Sequence, residues 1–129
     1  MKVDEATKAF VATTINQLLT KGGMDNFAIF NLNSDYYIQM SAQPNTDQMY
    51  CEAVSNTFIK SSKTLSESQM NDLLTLGWEA PVDNGNYSLM YDINSDADTY
   101  MLAELICKTA DKVYFRSSFG KSQLTLNLE

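Results

Sequence analysis

Apolar and polar residues alternate along this chain with two different periods. Within residues 4–21 the apolar side chains recur three and four positions apart, which predicts an amphipathic first helix. Its apolar positions are Phe10, Val11, Ile15, Leu18 and Leu19. Gly22 and Gly23 follow, and they favour a left-handed stop at the end of this helix.

Three segments with strand character come next. Residues 27–32 are rich in aromatic and β-branched side chains, whereas residues 36–42 and 49–55 alternate apolar with polar side chains. Clusters of turn-forming residues connect the three segments at 33–35 and 43–47. Because connections this short cannot cross between parallel neighbours, we expect an antiparallel meander.

A second helix is predicted from its end signals. Ser66 and Gln69 match the capping-box pattern, in which the two residues satisfy each other's backbone N–H groups. Gly77 predicts the end of this helix, and Pro81 prevents its continuation. Trp78 lies between them as a lid over the core. Gly77, Trp78 and Pro81 are therefore predicted to have structural roles.

The last third of the chain predicts a fourth strand and a third helix, and it leaves the structure of the C-terminal residues open. Residues 87–91 read as the strand, and Ser95 or Asp96 caps a helix that runs to about Lys112. The residues of this helix expected to face inward are Met101, Leu102, Leu105, Ile106 and Thr109. Residues 124–128 alternate Leu with polar residues, so a short terminal strand is an option.

The predicted element order is α-β-β-β-α-β-α. This order is typical of a two-layer α+β domain, in which helices pack on an antiparallel β-sheet. We expect residues 1–127 to form a single domain. Leu128 and Glu129 match the junction that common expression vectors leave before a purification tag, so they are excluded from the fold prediction.

Charge narrows the possible partners. The 129-residue chain has a net charge of -7 and no His, and no cluster of Lys and Arg appears in it. Proteins that bind nucleic acids or anionic membranes depend on such clusters, so neither partner is expected. The acidic N-terminal residues do not resemble a secretory signal, and the cytoplasm is the predicted compartment.

Catalytic chemistry is not indicated by the residue types present. Without His the usual proton carrier near neutral pH is missing, and no phosphate cradle or dinucleotide motif occurs. Cys51 and Cys107 show no metal-ligand spacing; they are interpreted as reduced, buried side chains, with a disulfide between them as the alternative. The prediction is a protein that is not an enzyme and holds no cofactor or metal.

Residues 92–98 resemble the opening of a calcium-binding loop. Asp92, Asn94, Asp96 and Asp98 alternate as cation ligands do, but Ala97 occupies the position at which such loops need Gly. The competing interpretation is a turn followed by a helix cap, with the acidic side chains near the positive end of the helix.

A possible partner-binding surface is predicted on the sheet. Tyr37, Gln39, Tyr50 and Glu52 occupy the polar positions of two neighbouring strands, so they should share one face. Tyr-rich surfaces are common at interfaces, although cross-strand Tyr pairs also stabilise sheets that have no partner. Both interpretations stand at this point.

Several short motifs resemble one known family. They are Tyr-Ile-Gln-Met at 37–40, Glu-Ala-Val-Ser-Asn at 52–56, Leu-Gly-Trp at 76–78 with Pro81, Asn-Tyr at 86–87 and Ala-Glu-Leu at 103–105. Together they resemble the TY-Chap domains of the type III secretion chaperone-like fold, over roughly residues 24–114. The resemblance implies an α+β domain, often found in bacteria, that acts through protein binding and brings no catalytic residue.

Two functions follow from these observations. The first is a noncatalytic binding module that holds a client polypeptide as a homodimer, as the resemblance to acidic, dimeric secretion chaperones implies. The alternative is a monomeric regulatory or immunity-type protein that binds one partner. Oligomeric state discriminates the two.

Overall fold

The computed structural model describes residues 3–21, 23–42, 46–60 and 62–128. Its helices are α1 (Glu5–Lys21), α2 (Glu67–Leu76) and α3 (Asp96–Lys112). Its strands are β1 (Phe27–Asn31), β2 (Tyr37–Ala42), β3 (Gln48–Ala53), β4 (Tyr87–Asp92) and β5 (Leu124–Asn127). The predicted α+β class and element order are confirmed, and the terminal strand that the alternating leucines left open is present as β5.

The five strands form one antiparallel sheet in the order β4-β3-β2-β1-β5. The predicted meander is β1 to β3. β4 joins β3 after α2, and β5 returns after α3 to the opposite edge, beside β1. α1 packs against α3 and against β1 and β2, so the helices form the second layer. No helix in the part of the chain that the structure describes is long and apolar enough to cross a membrane.

Burial follows the predicted alternation in the central strands. Ile38 and Met40 of β2, and Met49 and Cys51 of β3, are fully buried against the helices. The alternation predicted for residues 49–55 would place Val54 on the same face as Glu52. This is wrong at Val54, because β3 ends at Ala53 and Val54 is fully buried. Its carbonyl accepts a hydrogen bond of 2.8 Å from the Tyr114 hydroxyl.

The end signals of α2 act as predicted. The Gln69 backbone N–H donates to Ser66 Oγ at 3.1 Å, and the Ser66 N–H donates to Gln69 Oε1 at 2.8 Å, which completes the capping box. Gly77 ends the helix with a φ of 109°, a left-handed conformation that a side chain would strain. The corresponding stop predicted after α1 falls partly on Gly22, which lies outside the described residues.

One inward position predicted for α3 is wrong. Ser95 caps the helix, and Leu102, Ile106 and Thr109 are buried as expected. Met101, however, is 60% exposed. Successive helix residues differ by about 100° in direction, so Met101 points away from the core where its neighbour Leu102 points into it.

Trp78 links the end of α2 to α3. Its side chain is 2% exposed, and its indole N–H donates to Thr109 Oγ1 at 2.9 Å. The Thr109 hydroxyl in turn donates to the Leu105 carbonyl at 2.8 Å. The only Trp of the chain therefore closes the core with its one polar atom satisfied.

Replacing Thr109 should test this link. In Thr109→Val the shape of the side chain is kept, but the buried indole N–H loses its acceptor, so the free energy of unfolding should fall by about 1–3 kcal/mol. Urea denaturation followed by Trp78 fluorescence measures the change.

Thr13 is the matched control, because its hydroxyl makes the same bond to the carbonyl four residues earlier, but on an exposed face. Thr13→Val should stay within about 0.5 kcal/mol of the wild type. Equal losses in the two variants would contradict the assignment.

Both cysteines are buried and free, as predicted, and they are not joined in a disulfide. Burial raises the pKa of the Cys51 thiol well above its usual range. Burial, and after it the nearby Asp4 carboxylate, raises the pKa of Cys107 to about 12. Near neutral pH neither side chain supplies the thiolate that nucleophilic or redox chemistry requires.

We therefore expect no alkylation of the folded chain. Iodoacetamide at pH 8 should leave the intact mass unchanged over minutes, and it should add two carbamidomethyl groups in denaturant, where both thiols regain an ordinary pKa. Rapid single labelling of the native chain would show that one thiol is more accessible than its burial indicates.

Candidate functional site

One face of the sheet lies opposite the helix layer and keeps part of its surface exposed. We call this surface the outer face. It consists of the outward side chains of the four longer strands and Glu79. The residues of the outer face are Phe27, Ile29, Asn31, Tyr37, Gln39, Ser41, Gln48, Tyr50, Glu52, Glu79, Ser88, Met90 and Asp92. Each of these side chains is partly or largely exposed, whereas the alternate residues of β1, β2 and β3 are buried.

The structure places all four residues of the predicted partner-binding surface on the outer face. Gln39 of β2 stands directly opposite Glu52 of β3. Tyr37 and Tyr50 lie two positions from Gln39 and Glu52 along the same strands, so they project from the same side. The four side chains form a contiguous group across the centre of the sheet.

The two tyrosines of this group have different hydrogen-bond partners. The Tyr37 hydroxyl accepts a hydrogen bond of 3.1 Å from Asn86 Nδ2, and Asn86 Oδ1 accepts one of 3.0 Å from the Ser55 backbone N–H. Tyr37 therefore also braces the loop before β4. Partial burial, and then the charge of Glu52, raises the pKa of Tyr50, an effect that the Ser88 hydroxyl partly offsets. Tyr50 thus keeps its proton near neutral pH and can donate a hydrogen bond to a partner.

Sequence reasoning missed the flanks of this surface. Ile29 of β1 stands opposite Gln39, and Met90 of β4 stands opposite Tyr50 and is 46% exposed. Both residues lie at outward positions of their strands, so the alternation could have placed them on one face. Their neighbours across the sheet depend on the strand register, and for β4 this is fixed only after the chain has passed through α2. The two side chains extend the group of tyrosines with apolar surface on either side.

The charge on the outer face is of one sign. Its charged side chains are Glu52, Asp92 and Glu79, which stands opposite Ser88 in an isolated bridge and so shares the face. No Lys or Arg occurs among the outer-face residues. Asp92 Oδ1 accepts a hydrogen bond of 2.9 Å from Gln48 Nε2, which leaves its charge in place at the β4 edge. The surface is therefore aromatic and aliphatic at its centre and negative toward β4.

The hydrogen bonds of the acidic stretch after β4 support the cap interpretation. Asp98 Oδ2 accepts a hydrogen bond of 2.9 Å from the Asn94 backbone N–H, and Ser95 Oγ accepts one of 3.2 Å from the Asp98 N–H. These bonds turn the chain into α3 and use Asp98 Oδ2 and Ser95 Oγ as capping acceptors. Across the described residues, no group of three or more His, Cys, Asp or Glu side chains is gathered in a way that could hold a metal ion.

The outer face carries groups that are suited to binding. Its polar atoms are phenols, amides, hydroxyls and carboxylates, and both thiols of the chain are buried on the opposite side of the sheet. Aromatic rings beside amides and a one-signed charge provide apolar contact area together with hydrogen-bond donors and acceptors. Such a surface suits recognition of a polypeptide.

Comparison with known proteins points the same way. The model of a family described as TY-Chap3, T3SS (YopN, CesT) and YbjN peptide-binding chaperone 3, matches residues 12–115. No curated protein and no solved structure matches the chain. The matched range runs from the second turn of α1 to just past the end of α3, and it includes the whole β1–β4 part of the outer face. The chain therefore belongs to the TY-Chap3 family of peptide-binding chaperones.

Proposed function

We propose that this protein is a noncatalytic chaperone-like module that holds a client polypeptide on its outer face. The observation that carries the proposal is the exposed group of Tyr37, Gln39, Tyr50 and Glu52, flanked by Ile29 and Met90. Membership of a family of peptide-binding chaperones supports it. The client is held without any chemical change, and the surface contributes contact area, hydrogen bonds and charge.

The chemistry of the outer face indicates the kind of segment that fits. Tyr50 and Met90 lie opposite each other and form an apolar contact surface for aliphatic or aromatic side chains. Glu52 and Glu79 on the two sides of Ser88 favour Lys or Arg at neighbouring positions of the client. Exposed ion pairs contribute only about 0.2–1 kcal/mol each, so apolar contact should supply most of the affinity, and charge should supply selectivity.

Two peptides that differ only in charge test this proposal. One alternates Leu or Phe with Lys, and the other has Glu at every Lys position; fluorescence anisotropy measures the binding of each to the full chain. The Lys peptide should bind more tightly, and this preference should shrink as salt is raised. Tyr50→Ala should weaken binding about tenfold, as expected for a central Tyr of an interface. Glu52→Gln should lower the preference for Lys about two- to threefold.

Matched controls lie on the helices. Tyr100 is an exposed Tyr of α3 and Glu67 an exposed Glu of α2, and neither lies on the sheet. Tyr100→Ala and Glu67→Gln should leave binding of both peptides unchanged. If Tyr50→Ala behaves like Tyr100→Ala, the outer face is not the client site.

We further propose that the protein binds its client as a homodimer. A groove of about 330 Å³ lies between the end of α2, β4 and α3, where Leu76, Tyr91, Met101 and Leu105 present apolar surface. Glu104 and Lys108, which form a salt bridge of 3.6 Å, border it with both charges. An apolar centre with a polar border of mixed sign suits a self-complementary contact. The alternative is a monomer that binds one partner through the outer face alone.

Oligomeric state should respond to Met101. Size-exclusion chromatography with light scattering should give a dimer for the wild type and a monomer for Met101→Lys. In a dimer with a two-fold axis, the introduced lysine of one copy would face the same lysine of the other copy, and the two positive charges would repel each other. Met24 is 88% exposed and lies before β1, away from the groove, so Met24→Lys is the control and should stay dimeric. A wild-type monomer at every concentration would favour the alternative.

The cytoplasm is the proposed compartment. Both cysteines are free thiols in the structure. Reducing compartments keep thiols in that state, which supports this placement.

A further inference from the structure

The C-terminal segment lies along β1 as an added edge strand. β5 is antiparallel to β1, with Leu126 opposite Ala28 and Leu124 opposite Phe30. The family model ends at residue 115, so β5 and the segment leading to it lie beyond the matched part of the chain. Without β5, the backbone N–H and C=O groups on this side of β1 would form an open sheet edge.

One aromatic anchor and several side-chain hydrogen bonds hold this segment. The Phe119 side chain is 7% exposed, and its ring centroid lies 5.4 Å from that of Phe30 and 6.4 Å from that of Phe10. Asn31 Nδ2 donates to Thr125 Oγ1 at 3.0 Å, and Asn127 Nδ2 donates to the Asp25 carbonyl at 2.8 Å. The segment thus binds the rest of the chain through one aromatic residue and the short strand that follows it.

The side chains of β5 are only partly buried against the rest of the chain. None of its four residues is fully buried, although Leu124 and Leu126 point toward the helix layer, where Ala28 and Phe30 of β1 are fully buried. A groove of about 430 Å³ opens beside Phe119, and another of about 330 Å³ lies between α1 and Leu128. A strand with few buried apolar contacts opens more readily than the strands beside it.

We propose that the edge of β1 now covered by β5, with the aromatic pocket formed by Phe10 and Phe30, is a second peptide-binding site that works by strand addition. Its ligand is an extended peptide with an aromatic residue followed five and seven positions later by aliphatic residues, as in residues 119–127. The chain's own segment is the resident occupant, and a peptide of this pattern supplied by another molecule replaces it. Main-chain hydrogen bonds to β1 provide affinity, and the pockets for alternate side chains provide selectivity.

Competition by the resident strand sets how tightly another peptide can bind. A short tether gives the segment an effective concentration on the order of millimolar at the β1 edge. A peptide with the same contacts therefore competes with the wild-type chain only near that concentration. Weakening the resident strand should expose the site to lower peptide concentrations.

The test uses the full chain and a fluorescent peptide with the sequence of residues 119–127. Leu124→Ser combined with Leu126→Ser removes the two inward aliphatic side chains of the resident strand and keeps the Phe119 anchor. This variant should bind the peptide at least tenfold more tightly than the wild type in anisotropy titrations. A peptide with Ser at both Leu positions should bind neither protein.

Leu74→Ser is the matched control for the double variant. Leu74 is 48% exposed on α2, so its replacement removes an aliphatic side chain away from the β1 edge. This control should bind the peptide as the wild type does. Equal affinities for the folded double variant, the control and the wild type would overturn the proposal.

A measurement on the wild-type chain does not depend on the variant folding. In ¹H–¹⁵N spectra, millimolar unlabelled peptide should move the amide signals of Leu124–Asn127 toward random-coil positions while the β2 and β3 signals stay in place. Unchanged β5 signals at this concentration would also overturn the proposal, as would a dimer held by exchanged β5 strands that the peptide cannot displace. Tyr50→Ala should leave this displacement intact, so failure at the outer face and failure at the β1 edge give different results.

Discussion

The sheet is covered by helices on one side only, and most other features of the molecule depend on this. Side chains of a strand alternate between two faces, so a helix layer on one face requires an apolar residue at every second position and leaves the others free. Ile38, Met40, Met49 and Cys51 meet that requirement and are fully buried. The intervening positions are released from packing, which is why tyrosines, amides and carboxylates can collect there without loss of stability.

A small number of buried hydrogen bonds hold α2 and α3 together in the helix layer. Trp78 follows the left-handed turn at Gly77 and bonds to Thr109 of α3, while Gln69 of the capping box donates to the Val113 carbonyl at 2.6 Å. The buried side-chain amide of Gln69 thus bonds to the start of α2 and also to the end of α3. Because these buried polar groups are satisfied, α2 and α3 hold a fixed relation to each other, and the β4 strand between them enters the sheet in a defined register.

Local signals predicted most of the fold from the sequence. The capping box at Ser66, the stop at Gly77 and the alternation of β2 and β3 are all set by neighbours within a few residues. The errors arose where the decision is not local. Met101 and Leu102 are both apolar and adjacent, and the packing of α3 against its neighbours, chiefly α1, decides which of them faces the core. Val54 continues the alternation of β3, but the strand ends when the chain turns inward toward Tyr114.

The candidate surface was predictable to the same extent. Gln39 and Glu52 lie on consecutive strands that only five residues separate in the sequence, so their common face follows from alternation alone. Ile29 lies on β1, the strand directly before β2, so the same alternation could have added it. Met90 meets this group only through β4, whose register is fixed after the chain has passed through α2. The β1 edge was the least predictable feature, because the leucines of β5 find their partner almost a hundred residues earlier in the chain, at Phe27–Phe30.

The β4 edge and the β1 edge of the sheet are covered by different parts of the chain, and this difference affects where a peptide could pair with the sheet. At the β4 edge, Glu79 pairs with Ser88 through two backbone hydrogen bonds of 2.9 and 3.2 Å, and Met90 and Asp92 follow beyond this cover. A carboxylate beside an exposed edge discourages pairing with like-charged chains. At the β1 edge the cover is a strand of the chain's own C-terminal segment. Exposed apolar and backbone groups bind peptides, and the same groups promote aggregation. In the strand addition proposed above, an intramolecular and incompletely buried cover resolves this conflict, because it protects the edge when no client is present and yields to a strand that fits better.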